Sequence, residues 1–226
     1  MFIGELGVAF FIKKKFKSIP MWVLFFVSMF TNLLTYIFVF FGIEKMSFLR
    51  DAEGTVRIMY DFVPYSLSFF SAIVLGLLAF LIFSYFKEDA WGIGIGLSVV
   101  LSWIPKILFH SNQIPLLWDN AIRVGFASWE NPVLLFILEL CFLGIGFLIL
   151  FGTERKSFGL KPVLTSLGIF VFIAFIVRFC FPEGEQLKNI VTFEFLMLIL
   201  FLFLTSLLEK KQTIHGKRVF WSEKEE

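Results

Sequence analysis

The stretch PMWVLFFVSMFTNLLTYIFVFFGI, Pro20–Ile43, contains no charged side chain and decides the fold class. An α-helix needs about 20 apolar residues to cross roughly 30 Å of hydrocarbon, so this stretch is long enough. Because only helices and closed barrels satisfy their own backbone in lipid, and unbroken apolar runs exclude a barrel, the sequence predicts an all-α membrane protein with a six-transmembrane-helix bundle. The five other runs are Pro64–Phe86, Trp91–Phe109, Pro132–Gly152, Leu160–Phe181 and Ile190–Leu208.

The composition agrees with a chain that has little mass outside the membrane. Hydrophobic residues make up 58% of the chain, and 34 of its 226 residues are Phe. We predict a single integral-membrane domain over residues 1–208 and a charged cytoplasmic tail over residues 209–226. Cys141 and Cys180 lie in apolar runs without a CxxC motif, so we expect two reduced thiols that pack as small hydrophobes.

The placement of the 20 Lys and Arg residues predicts the orientation. If the segment before Pro20 is cytoplasmic, thirteen fall on the cytoplasmic side and five on the opposite side, while Lys106 and Arg178 lie inside runs. Cytoplasmic loops of membrane proteins carry such an excess. We therefore predict a multi-pass protein of the cell (inner or plasma) membrane with cytoplasmic N- and C-termini. No soluble domain presents these charges, which argues against a nucleic-acid partner.

The N-terminal stretch Met1–Ile12 is apolar and precedes a lysine cluster. A signal peptide has the reverse order, with its positive charges before the apolar core and a small-residue cleavage site after it. Twelve residues are too few to span a bilayer. We predict an N-terminal half-helix, a re-entrant segment that dips into the membrane from the inside.

Polar residues inside the runs are the candidates for function, because burying such groups in hydrocarbon is costly. We expect them to converge between the bilayer midplane and the outer leaflet. The predicted intramembrane cluster comprises Glu5, Asn32, Ser66, Ser102, Lys106, His110 and Glu139.

The densest polar stretch is LSWIPKILFHSNQIPL, residues 101–116. Ser102, Lys106 and His110 are spaced i, i+4, i+8, so on a continuous helix they share one face. Pro105 removes a backbone donor and is expected to kink the helix near Ser102. Two structural alternatives remain open: a lysine that snorkels or pairs with Glu139, and an interfacial histidine bonded to the following loop. One histidine cannot build a zinc site, which takes three or four ligands.

A series of landmarks runs through residues 1–152, and more loosely to Pro182. They are MFIGE with Gly4, Gly42-Ile43-Glu44 after the first full span, Pro64, Ser66 and Ser68 in DFVPYSLSF, Trp103, His110, Pro115 and Leu116, then Gly125 and Trp129 in VGFASWENP, and Glu139. In order and spacing they resemble a family of small bacterial integral-membrane proteins of unknown activity. That family is itself similar to the inner-membrane metal-dependent hydrolases of the LexA-regulated type.

The resemblance implies a metal site, since the family's His and Asp residues look like ligands gathered in the bundle. Most of those positions are changed here: Glu5 for His, Asn32 for Asp, Leu67 for His, Ser102 for His, Lys106 for Asp and Gln113 for Asp. Lys106 is the most damaging change, because an ammonium repels a divalent cation. We expect Lys106 to take the place of the metal and to pair with Glu139 or Glu5.

Three functions compete on this basis. The leading hypothesis is a non-catalytic, ligand-depleted relative that acts as a scaffold or binds lipid or a membrane protein partner. The second is a small transporter or transporter subunit, for which the close-packing glycines Gly92, Gly94 and Gly96 speak. The third is a divergent metal-dependent hydrolase. No cofactor is predicted for the first; the third would hold a divalent metal through His110, Glu139, Glu5 and Asn32, with His110 as the candidate catalytic base.

Overall fold

The structure is a computed structural model that describes residues 3–50, 56–109, 114–118, 122–126, 132–151, 167–172 and 187–214. Within these ranges the chain is mostly helical. The helices are α1 (Glu5–Lys15), α2 (Met21–Phe40), α3 (Phe69–Phe86), α4 (Asp89–Leu101), α5 (Trp103–Phe109), α6 (Pro132–Phe151), α7 (residues 167–172) and α8 (Leu187–Ile214). Two antiparallel hairpins pair β1 (Lys45–Arg50) with β2 (Val56–Phe62), and β3 (Ile114–Pro115) with β4 (Arg123–Val124).

In the part of the chain described, three helical segments are long and apolar enough to cross a membrane: Met21–Phe40, Phe69–Phe86, and Asp89–Phe109, which joins α4 and α5. Shorter apolar helices cover Leu134–Leu150 and Phe195–Glu209. Five of the six predicted runs therefore coincide with apolar helices. The fifth run, 160–181, falls mostly outside the described residues, where only 167–172 are seen as helix.

The third run is interrupted where its proline predicts. α4 ends at Leu101, Ser102 forms a turn, and α5 begins at Trp103. Pro105 is the third residue of α5 and cannot donate to the preceding turn, so the hydrogen-bond ladder is interrupted upstream of it. The helix is thus interrupted at Ser102, the place where the sequence predicts a kink.

The prediction of a purely helical chain missed the connection after α2. Residues Lys45–Arg50 and Val56–Phe62 form an antiparallel hairpin with an irregularity between Lys45 and Met46. A second, two-residue pairing joins Ile114–Pro115 to Arg123–Val124. The architecture is thus a helical bundle with small β elements at one end.

Helix α1 is the core helix of the bundle, although it has only 11 residues. It packs on α2 and α6, and most of its residues are buried, including Leu6 and Phe10. Gly7 and Gly146 allow the crossing with α6, since a Cβ added to Gly146 would lie 2.4 Å from the Gly7 carbonyl oxygen. Such small-residue contacts are how membrane helices approach closely.

Helices α3 and α4 form a close antiparallel pair through glycine. A Cβ added at Gly92 would come within 2.7 Å of the Phe80 carbonyl oxygen, and one at Gly96 within 2.7 Å of the Gly76 carbonyl oxygen. The predicted close packing at these glycines is confirmed. The outer face of α3 is apolar and exposed, with Leu77 more than half accessible.

The start of α2 is capped by the last helix. Pro20 gives α2 no side-chain cap, and Glu209 of α8 instead accepts hydrogen bonds from the Met21 amide at 2.9 Å and the Trp22 amide at 3.2 Å. A carboxylate is favoured there because it satisfies free amides and opposes the positive end of the helix dipole. The contact brings the beginning of α2 and the end of α8 to the same end of the bundle.

One lysine of the N-terminal cluster is not part of an exposed basic patch. The Lys13 side chain is 1% exposed, and its ammonium donates to the Lys17 carbonyl at 3.0 Å and to the Ile19 carbonyl. Lys13 therefore fastens the turn between α1 and α2, whereas Lys14 and Lys15 remain exposed.

Candidate functional site: a buried ion pair

The bundle interior holds a carboxylate at the first turn of its central helix. Glu5 is fully buried, and its Oε2 accepts hydrogen bonds from Asn32 Nδ2 at 2.9 Å and from Lys106 Nζ at 3.1 Å. α1 can begin so deep in the bundle because Gly4 precedes it: a Cβ there would lie 2.4 Å from the Phe109 ring. The short opening Gly4-Glu5 thus delivers a charge between α2 and α5.

Lys106 reaches the same point from the other side. Its side chain is 1% exposed, forms a salt bridge with Glu5, and also donates to the Thr31 hydroxyl. The interruption at Ser102 lies one turn before Lys106. Of the two partners expected for this lysine, the structure pairs it with Glu5.

Helix α2 lines the site with a polar stripe. Ser28, Thr31, Asn32 and Thr35 are all buried and recur at helical spacing on one face. Ser28 shares a hydrogen bond of 3.0 Å with Ser98 of α4, while Thr31 and Asn32 hold the ion pair. Buried hydroxyl and amide groups on an apolar helix are costly unless they are bonded, so this stripe fixes which face of α2 turns inward.

A second buried carboxylate, from α6, binds the chain just before α1. Glu139 of α6 is fully buried, and its Oε2 accepts a hydrogen bond from the Ile3 amide at 3.3 Å. Ile3 precedes α1 by two positions, where amides lack partners within the helix. Two helices therefore hold the N-terminus of α1. Glu139 of α6 binds the Ile3 amide, and Lys106 of α5 binds Glu5.

The local charges do not match a divalent metal site. In the described ranges no group of three or more His, Cys, Asp or Glu side chains could hold an ion. One carboxylate oxygen of Glu5, Oε2, is already bound by an ammonium and an amide. Because Lys106 brings a fixed donor and a positive charge to that oxygen, these residues do not fit the metal that the resemblance implies.

The two carboxylate oxygens of Glu5 differ in their hydrogen bonding. Glu5 Oε1 is buried and has no hydrogen-bond partner among the residues that the structure describes. A buried carboxylate oxygen without a bond is expensive, and such groups are common where membrane proteins handle protons or ions.

Ser66 does not belong to the ion-pair site. Its amide and hydroxyl both donate to Glu44, at 2.9 Å and 2.5 Å, and its hydroxyl also shares a bond of 2.7 Å with Thr35. The Tyr65 amide gives Glu44 a further bond at 2.9 Å. Glu44 thus holds the non-helical segment before α3 against the end of α2. Thr35, which bonds to Ser66, lies one turn along α2 from Thr31.

Burial raises the pKa of Glu44, and the bonds from Ser66 and Tyr65 only partly oppose that rise. Its position follows from how α2 ends. Gly42 has φ +72°, and the Ile43 amide bonds to the Phe38 carbonyl at 2.8 Å, which is the Schellman ending that glycine permits. The chain reverses there and sets Glu44 against Ser66.

The two remaining residues of the predicted cluster are Ser102 and His110. Ser102 is buried, but its hydroxyl donates to the Val99 carbonyl of its own helix at 2.7 Å. It therefore serves the break between α4 and α5. His110, Gln113 and Trp129 lie outside the described residues, so the roles expected for them stay predictions.

Leu67, which takes a histidine position of the family pattern, is a core residue. It is 1% exposed in a second apolar cluster that also contains Trp103, and its carbonyl accepts the Trp103 indole at 3.0 Å. Leu67 therefore contributes to apolar packing at this position.

The sequence prediction left out two buried polar residues, one in the ion-pair site and one beside Ser66. Thr31 lies beside Asn32 and binds Lys106, while Glu44 organises Ser66. A signal existed for the first, because Ser28, Thr31 and Thr35 form a helical stripe in an otherwise apolar run. Glu44 follows a glycine just past the apolar run, and from sequence it resembles an ordinary interfacial acid.

No protein-family model matches the chain, and no curated protein or solved structure does either.

Proposed function

We propose that the protein is a multi-pass bacterial inner-membrane protein that acts as a non-catalytic scaffold or as a lipid- or partner-binding bundle. In this proposal six helices cross the membrane, both termini are cytoplasmic, and α1 enters the bilayer from the inside without crossing it. The three helices of sufficient length and the apolar exposed face of α3 support the membrane location.

The single observation that carries the non-catalytic assignment is the Lys106–Glu5 pair at 3.1 Å. In the hydrolase-like pattern that the sequence resembles, the corresponding positions would supply an aspartate and a histidine to a metal. Here the two side chains neutralise each other and take up the polar interior. A pair of this kind supports a structural centre, since neither charge is left to bind or polarise a substrate.

Metal content separates this proposal from a residual hydrolase. The full chain is purified in mild detergent and its bound metals are measured by mass spectrometry, beside a His110→Ala, Glu139→Ala double variant. We expect neither protein to hold a stoichiometric divalent metal. About one ion per chain in the natural protein, lost in the double variant, would overturn the proposal and revive the hydrolase.

The topology is tested separately. Reporter domains that are active only in the cytoplasm or only outside it are fused after residue 226 and inserted between β1 and β2. The proposal predicts cytoplasmic activity at the C-terminus and external activity at the hairpin. Activity of both reporters on the same side of the membrane would contradict the six-span arrangement.

A transporter subunit is the second candidate. It is favoured by Glu5 Oε1, which has no hydrogen-bond partner within the described part of the chain and belongs to a carboxylate paired with an ammonium in the bundle interior. Proton movement can be followed with a pH-sensitive dye enclosed in vesicles that contain the protein or its Glu5→Gln variant. A pH change with the natural chain, absent from the variant, would support transport. Equal traces from the two proteins and from empty vesicles would leave the scaffold as the better account.

A further inference from the structure

A cavity of about 470 Å³, widely open on one side, lies between α5 and β4 with the two residues that follow it. It is lined by Trp103, Ile107, Arg123, Val124, Gly125 and Phe126. Trp103 is buried and Phe126 is 66% exposed, so the tryptophan forms the floor and the phenylalanine stands at the mouth. The volume lies within the range typical of small-molecule sites.

The walls of this cavity are fixed by hydrogen bonds. The Phe126 amide donates to the Ile107 carbonyl at 3.0 Å, which holds the β4 segment to α5. The Trp103 indole donates to the Leu67 carbonyl at 3.0 Å, and Arg123 Nη2 donates to the Asp61 carbonyl at 2.7 Å. The cavity is thus held open by contacts between separate elements.

The lining combines one cation with aromatic and aliphatic carbon. A guanidinium has five N–H donors, and the bond to Asp61 uses one of them. The remaining donors form a planar fork suited to a phosphate or carboxylate. Neither a small hydrated anion nor an uncharged hydrocarbon would use both parts of this lining.

Two apolar side chains of α5, next in sequence to the lining residues Trp103 and Ile107, are exposed. On the same helix as Trp103 and Ile107, the side chains of Ile104 and Leu108 are 46% and 38% exposed. An acyl chain lying on this apolar face of α5 could enter the cavity while its headgroup met Arg123.

We propose that this cavity binds one anionic phospholipid, with an acyl chain against Trp103 and Phe126 and the headgroup phosphate on Arg123. The inference rests on the proposed function, of which it specifies the lipid partner. Charge complementarity selects the anionic headgroup, and the aromatic lining selects the chain.

Binding is measured by native mass spectrometry of the full chain in neutral detergent, with added phosphatidylglycerol. Phosphatidylcholine is the zwitterionic control, palmitate carries a chain with a carboxylate, and inorganic phosphate is an anion without a chain. We expect phosphatidylglycerol to bind most tightly and inorganic phosphate not to bind. Tighter binding of palmitate, or equal binding of the two phospholipids, would overturn the assignment.

Arg123→Gln is expected to weaken phosphatidylglycerol binding about tenfold or more, as for the loss of one charge-assisted hydrogen bond. The Arg123→Lys variant keeps the positive charge but not the planar fork of donors. Its affinity for phosphatidylglycerol should therefore lie between those of the natural protein and Arg123→Gln. Lys45→Gln removes an exposed cation of the neighbouring hairpin and should leave binding unchanged. Equal loss in Lys45→Gln and Arg123→Gln would show general surface attraction and contradict the site.

A second variant covers the case in which Arg123→Gln disturbs the fold. Ile107→Trp adds volume to the wall of the cavity and should exclude the acyl chain while leaving Arg123 in place. Lipid binding at natural strength in this variant would overturn the proposal. Loss of the lipid site leaves the metal-free scaffold standing, whereas a stoichiometric metal overturns the scaffold whatever the cavity binds, so the two failures are distinguishable.

Discussion

The carboxylate of Glu5 lies 3.1 Å from the ammonium of Lys106, although the two residues are 101 positions apart and neither is more than 1% exposed. The pair joins the first helix to the fifth in the interior of the bundle. Thr31 and Asn32 bond to it from α2, so three helices meet at one pair of opposite charges.

Removing one charge of this pair should be more harmful than removing both. Lys106→Met leaves Glu5 buried without its counter-charge, and we expect a loss of about 3–5 kcal/mol in the free energy of unfolding. Adding Glu5→Gln to that variant should restore much of the loss, because no bare charge then remains. Thermal unfolding of the single and double variants in detergent measures the coupling.

The control for this cycle is Lys45→Met, which removes an exposed lysine and should change stability by less than about 0.5 kcal/mol. A Lys106→Met protein that unfolds at the same temperature as the natural chain would contradict the structural role of the pair.

The crossing of α1 and α6 depends on Gly146. In Gly146→Ala the new Cβ would lie 2.4 Å from the Gly7 carbonyl oxygen, a backbone atom that cannot rotate away. We expect a loss of about 1–3 kcal/mol, as for other overpacked contacts. The matched control is Gly144→Ala two positions earlier. There the added Cβ would have no described atom within 4 Å beyond its chain neighbours and its own helix backbone, so alanine should be neutral or stabilising. Similar midpoints for both variants would disprove the close contact.

The cap that Glu209 provides to α2 should be measurable. Glu209→Ala leaves the Met21 and Trp22 amides without their acceptor, and the expected cost is about 0.5–2 kcal/mol. Glu88→Ala is the comparison, because Glu88 precedes α4, is exposed and makes no side-chain cap. If the two alanine variants are equally stable, the contact from α8 contributes nothing to α2.

Glu44 should make stability depend on pH. Its pKa is raised from the ordinary 4.5 by burial, so the folded state binds its proton more tightly than the unfolded state does. The stabilisation is fully present below about pH 4.5 and is lost as the pH rises through the raised pKa. Thermal midpoints across this window should fall more steeply in the natural protein than in Glu44→Gln. Parallel curves would argue against the raised pKa.

The helices could be predicted from the sequence, because apolar length alone determines which segments can satisfy their backbone in lipid. Pro105 likewise predicted the break at Ser102. The β1–β2 hairpin was missed although the sequence carries a signal for it. Val56, Ile58 and Tyr60 recur at every second position after Gly54 in the sequence. Strand β2 has only seven residues with an apolar residue at every second position, and looking for apolar runs of about 20 residues does not detect that pattern.

The site was harder to predict than the fold. The sequence indicated that Lys106 needs an acidic partner, but the choice between Glu5 and Glu139 depends on how α1 and α6 cross. That crossing is set by Gly7 and Gly146, whose close approach is visible only when the helices are packed. Glu44, to which Ser66 donates, was not grouped with the polar residues because it lies outside the apolar runs.

The burial of α1 bears on the order in which the chain is assembled during synthesis. Lys106, the partner of Glu5, lies 101 positions later in the chain, and Glu139, which accepts from the Ile3 amide, lies 136 positions later. Helix α1 is therefore synthesised well before these contacts can form. Eleven residues are too short to hold a place across the bilayer by themselves. We therefore expect α1 to wait at the membrane surface and to enter last, as the step that closes the bundle.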